Sequence, residues 1–98
     1  WGKTDQPDFA NMAATVETDL LPIDLLHACL DIERDMGRVR HEVWGPRLID
    51  IDLIAYERVE MDTTKLILPH RFAHERDFVL APLREISPDT ADWIVTRR

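Results

Sequence analysis

The chain has 98 residues, 45% of them hydrophobic, which predicts one small domain over residues 1–98 with a single core. Its net charge of −7 argues against general nucleic-acid binding, and no apolar run is long enough to cross a membrane as a helix. Cys29 is the single cysteine, which leaves neither an intrachain disulfide nor a thiolate metal cluster, and a cytoplasmic location is expected.

The N-terminal third predicts a strand followed by a helix. Apolar and polar residues alternate between residues 9 and 18, which is the period of a strand. Between residues 22 and 36, apolar residues recur every three or four positions, which is the period of a helix. Pro22 suits the first turn of that helix, and Gly37 suits its end.

Four residues in and after this helix bear on function. Cys29 lies on the apolar stripe, so we expect a buried apolar residue rather than a nucleophile. Glu33 lies at the border of the stripe, where its spacing alone indicates a solvated acid. Arg38 and Arg40 would share a face and form a basic pair if the segment after the helix is extended.

The second half of the chain contains shorter predicted elements. A strand is predicted over residues 48–53, and a turn or small hairpin over residues 55–62. Residues 66–70 form a short apolar run that includes a proline, and residues 76–83 hold a second apolar segment. The tail, residues 87–98, shows little pattern and is predicted to be weakly structured.

The most informative segment is Trp44-Gly45-Pro46-Arg47-Leu48-Ile49-Asp50-Ile51-Asp52. Residues two apart on a strand share a face, so Asp50 and Asp52 would point the same way, about 7 Å apart. Such a pair suits one or two divalent cations such as Mg²⁺, although alone it could also be the wet face of a half-buried strand. The adjacent Arg47 and Trp44 favour a site for a metal-bound phosphate chain.

Side chains must hold any phosphate, because the three glycines are scattered and form no glycine-rich loop. Eight basic residues lie between Arg34 and Arg76, whereas only Lys3 lies before them. We therefore expect an anionic ligand to be bound locally by arginine, with His70 as a further donor to phosphate.

Further motifs agree in order and spacing with one protein family over nearly the whole chain. Besides the segment from Trp44 to Leu53, they are Asp5-Gln6-Pro7-Asp8-Phe9-Ala10-Asn11, Ile32-Glu33, Gly37-Arg38-Val39-Arg40, Leu68-Pro69-His70, Arg76-Asp77-Phe78-Val79-Leu80 and Pro82-Leu83. With these motifs the chain resembles the hydroxymethyl-dihydropterin pyrophosphokinase family. That family transfers a pyrophosphoryl group from ATP to a pterin alcohol in folate biosynthesis and releases AMP.

The resemblance implies a role for each group of site residues. Asp50 and Asp52 would bind two Mg²⁺ ions and act in catalysis with Arg38, Arg40 and Arg47. ATP, the co-substrate, would be bound by Glu33, Trp44, Arg47, Lys65, His70 and Arg76. The pterin would contact Phe9, Asn11, Trp44 and Phe78, with Asn11 as its hydrogen-bonding partner and Phe78 stacked on its ring.

The resemblance also implies an α+β fold, a ferredoxin-like α/β sandwich of which this chain supplies the second β-α-β half and the C-terminal loops. Family members begin with further elements ahead of the segment that contains Asp5, so the chain is expected to be truncated there and also at its C-terminus. The first strand of the fold would lie between the predicted strands 9–18 and 48–53. Without it, we expect an inactive chain that is aggregation-prone or partly folded and needs those elements in cis or trans.

Three functional hypotheses are open at this stage. The leading one is a pyrophosphokinase that acts on two small molecules, ATP and a pterin alcohol, and has no nucleic-acid or membrane partner. The second is a non-catalytic remnant that binds nucleotide or metal. The third is another two-metal enzyme that cleaves phosphate bonds without a pterin.

Overall fold

The computed structural model describes residues 11–40 and 49–97 and, for residues 38–40, the backbone alone. The elements in chain order are helix α1 (Pro22–Arg40), strands β1 (Met61–Asp62) and β2 (Ile67–Leu68), a 3-10 helix (Ala73–Glu75), and helices α2 (Asp77–Ile86) and α3 (Pro88–Thr96). β1 and β2 form a two-stranded antiparallel sheet. These residues thus form a mixed α+β structure, and none of its helices has the length and apolar character needed to cross a membrane.

The described residues form two compact units, each with its own buried residues. The first unit comprises residues 17–40 and 49–71, contains α1 and the sheet, and buries Leu66 and Leu68. The second comprises residues 11–16 and 72–97 and contains the 3-10 helix, α2 and α3. Its buried residues are Ala73, Leu80, Leu83, Ala91 and Ile94.

Helix α1 begins where the sequence predicts but ends three residues after Gly37. Pro22 occupies the first turn, where its missing N–H costs nothing, and Asp24 adds a negative charge near the positive end of the helix. The predicted end at Gly37 is wrong, because a glycine inside a helix costs only about 1 kcal/mol and does not by itself stop it. Arg38 and Arg40 are expected to share a face if the segment after the helix is extended, and that condition is not met because both residues belong to α1.

The two predicted strands do not form within the described residues. Residues 11–18 and 49–53 have no regular secondary structure, and β1 and β2 pair with each other. An alternating pattern shows that a segment suits a sheet, but a strand also needs a neighbour whose backbone groups complete the ladder. Residues 9, 10 and 48 of these two predictions lie outside the described residues.

The turn predicted within residues 55–62 is present, and the hairpin extends beyond these residues, because β1 pairs with β2 (Ile67–Leu68). Glu57 has a φ of 52°, a left-handed conformation that turns the chain ahead of β1. Thr63 closes the link between β1 and β2: its N–H donates to the Leu66 carbonyl at 3.0 Å, and its hydroxyl donates to the same oxygen at 2.9 Å. The Thr63 hydroxyl also accepts a hydrogen bond from the Leu66 N–H at 3.0 Å.

The prediction of a weakly structured tail is wrong, because residues 88–96 form α3. Ser87 separates α3 from α2. Its N–H donates to the Leu83 carbonyl at 2.7 Å, and its own carbonyl accepts from the Ala91 N–H at 3.1 Å. Pro88 then occupies the first turn of α3, a position that favours proline.

We expect Ile94→Ala to lower the free energy of unfolding by about 2–5 kcal/mol, because it leaves a cavity among the buried residues of the second unit. Ile94 is only 2% exposed, whereas Ile86, at the end of α2, is 43% exposed. Ile86→Ala is therefore the matched control, with an expected loss of about 1 kcal/mol or less. Urea denaturation followed by circular dichroism measures both losses, and equal losses would contradict the packing described here.

Candidate functional site

Asp50 and Asp52 lie in an irregular segment, residues 49–55, and exposure alternates over its first five residues, 49–53. Both aspartates are exposed, whereas Ile51 between them and Leu53 after them are half-buried. The alternation expected of a strand is therefore present, although the strand itself is not. Two exposed carboxylates on either side of a half-buried residue offer oxygen ligands to a cation from solvent.

Glu33 connects helix α1 to this segment. The Ile51 N–H donates a hydrogen bond to Oε2 of Glu33 at 2.5 Å, across 18 residues of sequence. Glu33 is half-buried. The solvated acid indicated by its spacing is therefore wrong, and the side chain has a structural partner that spacing could not reveal.

A second hydrogen bond holds the other end of the segment. The His70 N–H donates to the Ile54 carbonyl at 2.7 Å, so the backbone of His70, just after β2, lies beside the segment that carries the aspartates. Lys65 is exposed in the link between the two strands. The first unit therefore contains seven predicted site residues: Glu33, Arg38, Arg40, Asp50, Asp52, Lys65 and His70.

In the second unit, Arg76 lies against two aromatic rings. Its guanidinium carbon is 5.2 Å from the centroid of the Phe72 ring and 5.6 Å from that of Phe78. A cation at such distances is attracted by the π-electrons of each ring. Sequence reasoning identified Arg76 and Phe78 but missed Phe72, for which the one available signal was an aromatic residue four positions before an arginine.

For the remaining predicted site residues the structure gives fewer details or none. Asn11 is exposed in an irregular part of the second unit. Arg38 and Arg40 belong to α1 by their backbone. Phe9, Trp44 and Arg47 lie outside the described residues.

Within residues 11–37 and 49–97, no group of three or more His, Cys, Asp or Glu side chains is arranged to hold a metal ion. At the candidate site the described residues thus offer a cation two carboxylates, those of Asp50 and Asp52, and its remaining ligands would come from elsewhere. Mg²⁺ is commonly bound in this way, through one or two carboxylates together with water and substrate phosphates.

Comparison with known proteins gives a consistent result. The model of the family described as 7,8-dihydro-6-hydroxymethylpterin-pyrophosphokinase matches residues 1–88. The chain is similar to a 2-amino-4-hydroxy-6-hydroxymethyldihydropteridine pyrophosphokinase from Methylorubrum extorquens, with 55% identity over 89 residues, which are 91% of this chain and 56% of that protein. The enzyme of the same name from Bacillus subtilis is 46% identical over 85 residues, which are 87% of this chain and 51% of that protein.

A longer protein also matches. A folic acid synthesis protein from Schizosaccharomyces pombe is 46% identical over 85 residues, which are 12% of its length. The chain thus spans about half the length of the two bacterial relatives and a much smaller share of this one.

Cys29 provides a test of how Glu33 is placed. It is half-buried rather than buried, and burial, followed by the nearby negative charge of Glu33, raises the pKa of its thiol above the ordinary value of 9.0. A raised pKa means less reactive thiolate at any given alkaline pH. We expect the rate of alkylation by iodoacetamide to reach its midpoint above pH 9.0.

Glu33→Gln should lower that midpoint but leave it above pH 9.0, because burial is the larger cause of the raised pKa and is unchanged by the substitution. Asp31→Asn is the control, since Asp31 is an exposed acid of the same helix that pairs with Arg34. A midpoint that does not respond to Glu33→Gln would contradict the placement of the carboxylate.

Proposed function

The chain belongs to the 7,8-dihydro-6-hydroxymethylpterin-pyrophosphokinase family, and on that premise we propose that the whole protein transfers pyrophosphate from ATP to hydroxymethyl-dihydropterin. The reaction releases AMP and serves folate biosynthesis. The observation that carries the proposal is the pair of exposed carboxylates, Asp50 and Asp52, on either side of an amide that is hydrogen-bonded to helix α1.

The proposal extends to the fold. We infer one domain over residues 1–98, which supplies the second β-α-β half of a ferredoxin-like sandwich together with its C-terminal loops. The α+β content of the described residues supports this inference. Activity would require, in cis or trans, segments equivalent to the part of the relatives that the chain does not span.

The residues present fit a magnesium site. Asp50 and Asp52 would each hold one or both of two Mg²⁺ ions, because their carboxylates are exposed and carry the hard oxygen ligands that this ion prefers. The bound ions would neutralise charge on the phosphates of ATP. Arg38, Arg40 and Arg47 would add positive charge along the same phosphate chain.

The substrates would divide between two sets of side chains. ATP would be bound by Glu33, Trp44, Arg47, Lys65, His70 and Arg76. The pterin would be bound by Phe9, Asn11, Trp44 and Phe78. The ring of Phe78 is 53% exposed, which gives a flat ligand room to stack.

The chemical step needs positioning more than a strong base. The hydroxymethyl oxygen attacks the β-phosphorus of ATP, and a new O–P bond forms as the bond from that phosphorus to the oxygen of the α-phosphate breaks. AMP leaves with that oxygen, and the proton of the alcohol passes to solvent. Such transfer depends on alignment and on stabilisation of the phosphate charge, which the arginines and the cations held by the two aspartates would supply.

The test uses a hybrid protein in which this chain replaces the matching region of the Methylorubrum extorquens relative. We expect the hybrid to form AMP only when ATP and the pterin alcohol are both present. Asp50→Ala or Asp52→Ala should lower turnover by about a thousandfold, because several kcal/mol of charge stabilisation would be lost.

The matched control is Asp62→Ala, which removes an exposed carboxylate from β1 and should change turnover by about twofold or less. Near-normal turnover in either site variant would refute the role of the aspartates. Binding of ATP without AMP formation would indicate a non-catalytic nucleotide-binding protein. Hydrolysis of ATP without the pterin would indicate a different two-metal enzyme.

A separate prediction concerns Asn11. In the same hybrid, Asn11→Ala should weaken the binding of the pterin by about tenfold, because hydrogen bonds to the ring would be lost, and should leave ATP binding nearly unchanged. Isothermal titration with each ligand measures the two effects. Thr15→Ala, another exposed position of the same irregular segment, is the control. Equal losses for both ligands would refute the assignment.

A further inference from the structure

We propose that Glu33 is a positioning residue, which fixes the backbone between Asp50 and Asp52 by accepting the hydrogen bond of the Ile51 N–H. The inference rests on the proposed function only in taking the two aspartates as metal ligands. It assigns Glu33 a role through another segment of the chain, distinct from contact with the nucleotide.

The position of the donor is what gives this hydrogen bond its effect. Ile51 is the single residue between the two aspartates, and its peptide unit with Asp50 is planar. Fixing the Ile51 N–H therefore fixes the carbonyl of Asp50 in the same plane. Asp52 follows after the φ and ψ rotations of a single residue, Ile51.

The acceptor is suited to this task. Glu33 extends from α1, a helix of 19 residues, so its own backbone is held by regular hydrogen bonds. Its oxygen Oε2 accepts the hydrogen bond of the Ile51 N–H, and a carboxylate is a strong acceptor for a backbone amide. The hydrogen bond from the His70 N–H to the Ile54 carbonyl holds the segment again, three residues later.

A direct role of Glu33 as a metal ligand is less well supported by the same geometry. In the part of the chain that the structure describes, Glu33 and the two aspartates do not form a group of three ligands able to hold a cation. Oε2 of Glu33 is already engaged by the Ile51 amide. Residues that hydrogen-bond to metal ligands and orient them commonly affect metal affinity without touching the ion.

Three variants of the hybrid protein distinguish the effect of the position of the side-chain oxygen at residue 33 from the effect of its charge. Glu33→Gln removes the charge but retains a side-chain oxygen at the same reach, whereas Glu33→Asp retains the charge on a side chain that is one methylene shorter. Glu33→Ala removes both. Asp31→Ala is the control, because it removes an exposed acid of α1 that pairs with Arg34 and is not bonded to the segment of the aspartates.

Two measurements are needed, and only one of them involves metal. Hydrogen exchange followed by NMR should show the Ile51 amide protected with Glu or Gln at position 33, and exchanging about tenfold faster or more with Asp or Ala. Titration with Mn²⁺ alone should show affinity within about twofold of the parent for Glu33→Gln, and about 10–100-fold weaker for Glu33→Asp and Glu33→Ala. The amide of Leu68 in β2 should be protected equally in all variants, which shows that the fold is intact.

The proposal is overturned if Glu33→Gln loses as much Mn²⁺ affinity as Glu33→Ala, because charge rather than position would then matter. It is also overturned if the Ile51 amide exchanges at the same rate in every variant. If Glu33→Ala unfolds, the comparison of Gln with Asp still decides between the two roles. If the hybrid with the original Glu33 binds no Mn²⁺ but shows the expected protection of the Ile51 amide, the proposed metal site is refuted and the positioning role of Glu33 is supported.

Discussion

The hydrogen bond between the Ile51 amide and the Glu33 carboxylate holds an irregular segment in one conformation. Buried or half-buried backbone groups need partners, and a segment outside helices and sheets must find them elsewhere. Here a helix side chain satisfies Ile51, and the backbone of His70 satisfies Ile54. The orientation of Asp50 and Asp52 thus depends on a helix and on the residue after a hairpin, although neither element carries the aspartates.

Elements that depend on local sequence were predictable. The start of α1 follows from Pro22 and from apolar residues at helical spacing, both of which act within one or two turns. The extent of α1 was misjudged at Gly37, where the structure leaves space for a side chain: a Cβ added there would meet nothing within 4 Å. Glycine is common after the last turn of a helix, but it is also tolerated inside one, and the residue type alone does not distinguish the two.

Elements that depend on distant partners were not predictable to the same degree. Residues 49–53 have the alternation of a strand without a paired neighbour, whereas Met61 and Leu68 pair across a short link despite strands of only two residues. The tail became a helix because Ala91 and Ile94 pack in the core of the second unit, and that packing also requires α2. The alternation and spacing of apolar residues indicate which secondary structure a segment can form. Whether it pairs or packs depends on which other segments of the chain lie beside it.

The same distinction applies to the candidate site. The residue types at Asp50, Asp52 and Arg76 indicated their chemistry directly, since carboxylates suit cations and guanidinium suits phosphate. The partner of Glu33 lies 18 residues away, and no periodicity within α1 points to it. The chemistry of the candidate site therefore stays a prediction from residue types, whereas the contacts that position its residues could not be predicted from the sequence.

Arg76 contacts two aromatic rings, and these contacts are compatible with the binding of a phosphate by the same side chain. The centroids of the Phe72 and Phe78 rings lie within 6 Å of the guanidinium carbon, and the π-electrons of both rings attract its charge. The five N–H donors of a guanidinium lie in its plane and point outward from its edges. A phosphate would be bound through these donors, whereas the rings act on the charge of the whole group. Because Phe72 and Phe78 restrict the long side chain before any ligand arrives, binding a phosphate would cost less conformational entropy than it would for an unconstrained arginine.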